Sequence, residues 1–218
     1  MKKTALIISG GSINYEFAKE YVENNLHTLL IVADNGLKVA DELGLQPDFA
    51  VGDFDTASID LINKYKNKST EFIEYNRKKD FSDTELAVDI ALDNNCEEIH
   101  LLGALGSRFD HTLANVYLLQ KAINNNVNAV IHDVNNRINI IGGNRRSIQL
   151  EKSVYKYFSL IPLSEKVTGI NVTGAEYNLE NAILRMDCNY SLGISNEIKD
   201  KVIIEINTGY LLVIESKD

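Results

Sequence analysis

Cysteine is nearly absent. Only Cys96 and Cys188 occur, far apart and without CxxC spacing, so neither a disulfide framework nor a thiolate zinc site is indicated. Both read as small buried hydrophobes. Tryptophan is missing altogether. No apolar run approaches the ~20 residues needed to span a bilayer, and Met1-Lys2-Lys3-Thr4 leads into a short strand-like stretch with no signal-peptide cleavage pattern. A cytoplasmic protein with no membrane partner is expected. Positive charge is scarce as well: 22 Lys and Arg against 31 Asp and Glu give a net charge of −9, and no basic patch is obvious, Arg145-Arg146 being too short to attract nucleic acid. Against these absences stand 218 residues, 44% hydrophobic and 24% charged, enough to bury a core in one or two domains. The acidic residues do not form runs; several stand singly among Gly, Phe and Ser at segment ends.

Short apolar segments recur in the first two thirds, at residues 5–8, 29–33, 49–51, 72–73, 99–102 and 129–131. Continuous runs of this kind suit strands buried on both faces of a parallel sheet. Helical patterns lie between them, at Asn14–Asn24, Leu37–Leu43, Ser58–Lys64, Thr84–Asp93 and Thr112–Ile123. The alternation predicts an α/β domain over residues 1–136, with a mostly parallel sheet flanked by helices. Beyond about Asn135 the rhythm changes to short strands at 138–141, 148–150, 155–162, 167–172, 182–188, 202–206 and 210–215, with one helical turn hinted at Asn178–Asn181. This predicts an all-β, sandwich-like domain over 145–218, with Ile141-Gly142-Gly143-Asn144 turning the chain between the two.

Ligands of open α/β sheets bind at the carboxyl ends of the strands. Those ends carry Ser9-Gly10-Gly11-Ser12, Asp34-Asn35-Gly36, Gly52-Asp53-Phe54-Asp55-Thr56 and Gly103 through His111. Asp53 and Asp55, two residues apart in a loop, can offer hard oxygen ligands to Mg²⁺; equally, Asp55 or Ser58 can cap the next helix. Ser82-Asp83-Thr84-Glu85 fits a capping box, yet Asp80 just before it lies where a carboxylate can reach a metal or a ligand. Asp110 reads as an N-cap of the helix at Thr112–Ile123, with Arg108 free to grip phosphate. Gly10-Gly11-Ser12 can bring backbone N–H groups to a phosphate, although it is neither a Walker A loop nor GxGxxG. His27, His100, His111 and His132 lack metal-ligand spacing; only His111 falls in a candidate loop, and the others read as surface or packing residues. No covalent nucleophile can be picked out, which leaves metal-assisted positioning of a polyphosphate.

The ordered series Asp34-Asn35-Gly36, Gly52-Asp53-Phe54-Asp55-Thr56, Lys79-Asp80-Phe81-Ser82-Asp83-Thr84-Glu85 and Gly106-Ser107-Arg108-Phe109-Asp110-His111-Thr112-Leu113-Ala114-Asn115, followed by Ser195-Asn196-Glu197, resembles the thiamine pyrophosphokinase (thiamine diphosphokinase) family. The resemblance implies a homodimer with its active site between subunits, and transfer of a pyrophosphoryl group from ATP to the hydroxyl of thiamine, giving thiamine diphosphate and AMP. It also implies Mg²⁺ held by Asp53, Asp55 and Asp80, with Asp83 among the catalytic carboxylates. Asp34, Asn35, Arg108, Asp110 and His111 would meet ATP, and Ser195 and Asn196 of the other subunit would meet thiamine. Asn35 stands where the family often has Gly. The indole that some members place near thiamine has no counterpart here, which leaves a Tyr or Phe such as Tyr190 for that contact.

Overall fold

The structure, a computed structural model, describes residues 2–55, 58–74, 81–187 and 193–218. Asp80, Tyr190 and Cys188, all named above, lie outside the described residues. The chain divides into two compact units. One takes the residues up to Leu118 with Val127–Val134, and the other takes Leu119–Asn126 with Asn135–Asp218.

The first unit alternates β1 (Thr4–Ile8), α1 (Tyr15–Asn24), β2 (Leu29–Ala33), α2 (Gly36–Glu42), β3 (Phe49–Gly52), α3 (Ile59–Lys66), β4 (Glu71–Glu74), α4 (Asp83–Asp93), β5 (Glu98–Leu102), α5 (Phe109–Asn124) and β6 (Asn128–His132). The last turn of α5 falls in the second unit. All strand pairs of this unit are parallel, in the spatial order β6-β5-β1-β2-β3-β4. Leu6, Ile8, Val32 and Ala50 bury one sheet face against Ala18, Leu37, Ala40 and Tyr65 of the helices. Their neighbours Ala5, Ile7, Ile31 and Val51 are equally buried, and α4 packs across β1, β2 and β3. Burial on both faces is why these strands read as unbroken apolar runs.

Helix starts follow local chemistry. The side chains of Asn14, Ser58 and Ser82 accept from the backbone N–H groups of Phe17 (2.9 Å), Leu61 (3.2 Å) and Glu85 (3.1 Å). Ser58, not Asp55, therefore caps α3. Helix α5 begins at Phe109, three residues earlier than its apolar pattern announces. Asp110 thus sits inside the first turn, where the dipole favours a carboxylate, rather than at the N-cap.

The second unit contains β7 (Asn136–Gly142), β8 (Ser147–Glu151), β9 (Tyr157–Pro162), β10 (Lys166–Ala175), β11 (Leu179–Arg185), β12 (Ile194–Glu205) and β13 (Tyr210–Ser216). Its pairings are antiparallel: β7 with β13, β13 with β9, β10 with both β11 and β12, and β12 also with β8 and β9. The first part of β12 pairs with β9 and its last part with β8, so one long strand serves two partners on the same edge. Phe158, Leu160, Val167, Val172, Val202 and Val213 lie in one buried cluster. The turn at Gly142–Arg145 leads from β7 into β8, which pair with different strands, and is closed by Gly142 N to Arg145 O at 2.8 Å and Arg145 N to Gly142 O at 2.9 Å. The helical turn expected at Asn178–Asn181 is instead the start of β11, because Leu179 and Ala182 pair with β10 and Asn181 takes a left-handed φ of 49°.

Glu215 of β13 is fully buried and meets the guanidinium of its strand partner Arg137 through two hydrogen bonds, one of 2.6 Å from Nε to Oε2. Arg137 also stacks over Tyr155 at 5.5 Å. Removing one partner of a buried pair strands the other charge. Arg137→Ala is expected to cost about 3 kcal/mol in urea unfolding, and Arg137→Met with Glu215→Leu much less. Equal losses for the two variants would contradict the buried pairing.

Candidate active site

The strand order reverses at β1: the chain builds β2, β3 and β4 on one side and then returns to place β5 and β6 on the other. A crevice opens at such a reversal, outside the carboxyl ends of the strands. Here it is a cavity of about 740 Å³ lined by the loops after β1 and β5, the start of α4, Asp34 and Asp53.

Two backbone bonds, Ser9 N to Leu102 O (2.8 Å) and Gly11 N to Gly103 O (2.9 Å), draw the β1 and β5 loops together. A Cβ on Gly11 would lie 2.3 Å from Gly103 O and 2.8 Å from Leu105 O, so no larger residue fits without moving a loop. Ser9 is buried and receives the Thr84 hydroxyl at 3.2 Å, tying α4 to β1. Buried Asn115 donates to Ala104 O at 2.7 Å, and the Thr112 hydroxyl accepts from Gly106 N at 3.1 Å; α5 thereby fixes the β5 loop from below.

The acidic residues come from neighbouring strand ends. Asp34 follows β2 with a left-handed φ of 50°, its N–H bonded to Val51 O at 2.8 Å. After β3, Phe54 turns inward at φ 51°, is buried, and meets Phe72 edge-on at 5.2 Å between ring centres. That anchor leaves Asp53 and Asp55 outward on either side of it, with Asp55 N reaching Asp53 Oδ1 at 3.3 Å. Asp34, Asp53 and Asp55 each offer a carboxylate oxygen, all within 4.8 Å of one another. Three hard oxygen donors at that spacing fit a divalent cation of the magnesium type.

The remaining expected residues divide. Asp83, first residue of α4, lines the large cavity, its Cγ 3.7 Å from where a Cβ on Gly52 would stand. Arg108, Asp110 and His111 line it too. Arg108 grips Asp110 with Nη2 to Oδ2 at 2.6 Å and Nε to Oδ1 at 3.3 Å; those hydrogen bonds hold the Asp110 carboxyl below its ordinary range and raise the guanidinium. Asn35 borders a second cavity of about 490 Å³ with Asp34, Lys38, Asp41, Ser58, Asp60, Leu61 and Lys64. Ser195 and Asn196 lie on β12 of the second unit. There Ser195 is exposed, while buried Asn196 donates to Tyr177 O (2.6 Å) and accepts from Tyr177 N (3.2 Å). Ser9, Thr84 and Asn115 stand inside the quoted loop, capping and family motifs, but the bonds they make across the fold carry no local signal.

The two-loop contact is testable by substitution. Gly11→Ala should lower stability by about 1–3 kcal/mol through forced loop displacement, against a smaller loss for Gly10→Ala, whose Cβ would meet Asp34 Oδ2 at 3.2 Å. Thermal melts of equal depth for both would refute the close approach.

Residues 20–131 match the family model described as thiamin pyrophosphokinase, catalytic domain, and residues 145–211 the one described as thiamin pyrophosphokinase, vitamin B1 binding domain. A thiamine pyrophosphokinase of Bacillus subtilis (strain 168) is 31% identical over 222 residues, covering 99% of this chain and 100% of its own length. The crystal structure of thiamine pyrophosphokinase from Bacillus subtilis superposes with a TM-score of 0.85 at 29% identity, covering 99% of this chain and 100% of that one. That of thiamin pyrophosphokinase from Geobacillus thermodenitrificans gives 0.83 at 28%, covering 99% and 98%. With both family models matched in order and relatives aligned along their whole length, the chain belongs to the thiamin pyrophosphokinase family.

Proposed function

We propose that this chain is a thiamine diphosphokinase, which transfers the pyrophosphoryl group of ATP to the hydroxyl of thiamine and releases thiamine diphosphate and AMP. The observation that carries the reading is the convergence of Asp34, Asp53 and Asp55 beside a glycine-walled cavity at the point where the strand order reverses. In this reading residues 1–136 form the α/β catalytic domain on its parallel sheet, and 145–218 the sandwich-like thiamine-binding domain.

Asp53 and Asp55, joined by Asp34, would hold Mg²⁺; Asp80, the third ligand expected from sequence, lies outside the described residues. Bound there, Mg²⁺ neutralises phosphate oxygens that the carboxylates would otherwise repel. The chain's own residues do the rest. Gly11 and Gly103 let the β1 and β5 loops meet as the backbone wall on which phosphate lies, and Arg108 and His111 supply donors from the rim, Arg108 exchanging its Asp110 partner for phosphate. Asn35 and Asp110 shape the nucleotide pocket. The thiamine oxygen bonds to the β-phosphorus as the bond from that phosphorus to the α–β bridging oxygen breaks. AMP leaves with the electron pair, and the hydroxyl proton passes to Asp83. Ser195 and Asn196 meet thiamine from the other subunit of a homodimer, with Asn196 also holding Tyr177 in place. A cytoplasmic location belongs to the same reading; among the described residues no helix is long and apolar enough to cross a membrane.

Product analysis tests the chemistry. AMP should appear one for one with thiamine diphosphate, whereas ADP would mean transfer of the terminal phosphoryl group alone. Asp53→Asn and Asp55→Asn should each lower kcat by about 100-fold without loss of the fold, the melting temperature standing at or above that of the wild type as repulsion is relieved; near-normal turnover would remove them from the site. Phe109, Leu113 and Tyr117 form an exposed apolar stripe at i, i+4 and i+8 on α5, which supports the dimer. Leu113→Glu with Tyr117→Glu should sediment as monomer, and an intact dimer would place the interface elsewhere.

A further inference from the structure

Three of the four histidines gather away from the acidic cluster, within the first unit. His100 stands on β5, His132 ends the adjacent β6, and His27 lies in the loop between α1 and β2. In the parallel register Leu102 faces His132, so His100, two residues earlier on β5, projects from the same sheet face. Nδ1 of His100 lies 3.0 Å from Nε2 of His132. The His27 ring centre is 5.1 Å from that of His100, and the Tyr21 ring covers the group at 4.7 Å from His132 and 5.9 Å from His27. Both ring nitrogens of His27 are buried with no hydrogen-bond partner.

A hydrogen bond between two neutral imidazoles accounts for the His100–His132 distance but leaves His27 with donor and acceptor both unmet, an arrangement that costs free energy in a buried site. A shared cation accounts for that distance and engages one of the two unmet His27 nitrogens. At a metal–nitrogen distance of about 2.0–2.1 Å, neighbouring imidazole donors stand roughly 3.0–3.4 Å apart. The outer arrangement fits too. With Nδ1 of His100 turned to the ion, its Nε2 faces Glu98 Oε1 at 3.8 Å, and Glu98 is itself fixed by Lys2 (2.8 Å) and Asn128 (2.9 Å). A carboxylate behind a ligating histidine orients the ring and raises its basicity.

We propose that His100 and His132, joined by His27, form a second cation site, one for a borderline transition ion of the Zn²⁺ or Co²⁺ kind. The His100–His132 pair already stands at chelating distance, and His27 completes the set by turning its ring. Burial keeps the imidazoles in the ligating, neutral form: His27 is pushed down to about 4 and His100 below its ordinary value. Nitrogen donors select such ions, whereas the oxygen cluster of Asp34, Asp53 and Asp55 suits Mg²⁺. The ion would staple β5, β6 and the α1–β2 loop, stabilising the folded chain by mass action.

Chelator-treated full-length protein titrated with Co²⁺ alone tests this. One equivalent should bind with visible d–d absorption, be displaced by Zn²⁺, and raise the melting temperature. Binding should persist in the Asp53→Asn, Asp55→Asn double variant and be lost in His132→Gln, while Glu98→Gln weakens it about tenfold. X-ray absorption on the Zn²⁺-loaded wild type, which needs no variant to fold, should give an imidazole shell. An oxygen-only shell, binding abolished by the aspartate variants, binding that survives His132→Gln, or no bound Co²⁺ at all would each overturn the proposal.

Discussion

Three carboxylates held within 4.8 Å of one another repel. The fold around them is arranged to bear that repulsion. Asp34 follows β2 at a left-handed φ with its backbone N–H bonded to Val51 O, and the β3 loop is pinned from beneath by Phe54, so one loop relaxes only by breaking a backbone bond and the other only by unpacking Phe54 from Phe72. In the proposed reading a divalent cation would relieve that charge and give the cluster affinity for a polyphosphate. The proposed chemistry grows from that demand, since the reaction asks for positioning and charge control more than for a covalent nucleophile.

The second constraint is steric. The crevice between β1 and β5 exists because two loops approach within hydrogen-bonding distance, and they do so only where Gly11 and Gly103 carry no Cβ. Thr84 and Asn115 reach across from α4 and α5 to lock the same loops. The cavity wall is thus made largely of backbone, with charge confined to the rim and to the strand ends. This distribution explains how a chain of net charge −9 can take an anionic substrate: the total says little, and the placement of single carboxylates says much.

Much of this was legible in the sequence. Strand β2 falls on its expected residues, Leu29–Ala33, because a strand buried on both faces must be apolar throughout. Ser82 caps α4 as its spacing to Glu85 implied. Where pairing across the chain decides, local pattern failed. Leu179–Asn181 reads as a helical turn in isolation and is drawn into β11 by β10. Strand β12 starts at Ile194, well before its apolar stretch at residue 202, since exposed and buried positions alternate along its first half. The resemblance puts Asp34 in the nucleotide and metal pocket; its closeness to Asp53 and Asp55 depends on β2 and β3 being neighbours, which no local motif encodes. The histidine group was invisible for the same reason, its members coming from three separate segments.

The central claim is that Asp34, Asp53 and Asp55 make ATP recognition depend on a divalent cation. Calorimetric titration of ATP, without thiamine, measures it directly in Mg²⁺ and in EDTA. The account predicts binding only with Mg²⁺ and its loss in Asp34→Asn. Equal ATP affinity in EDTA, or an Asp34→Asn variant that binds like the wild type, would contradict it.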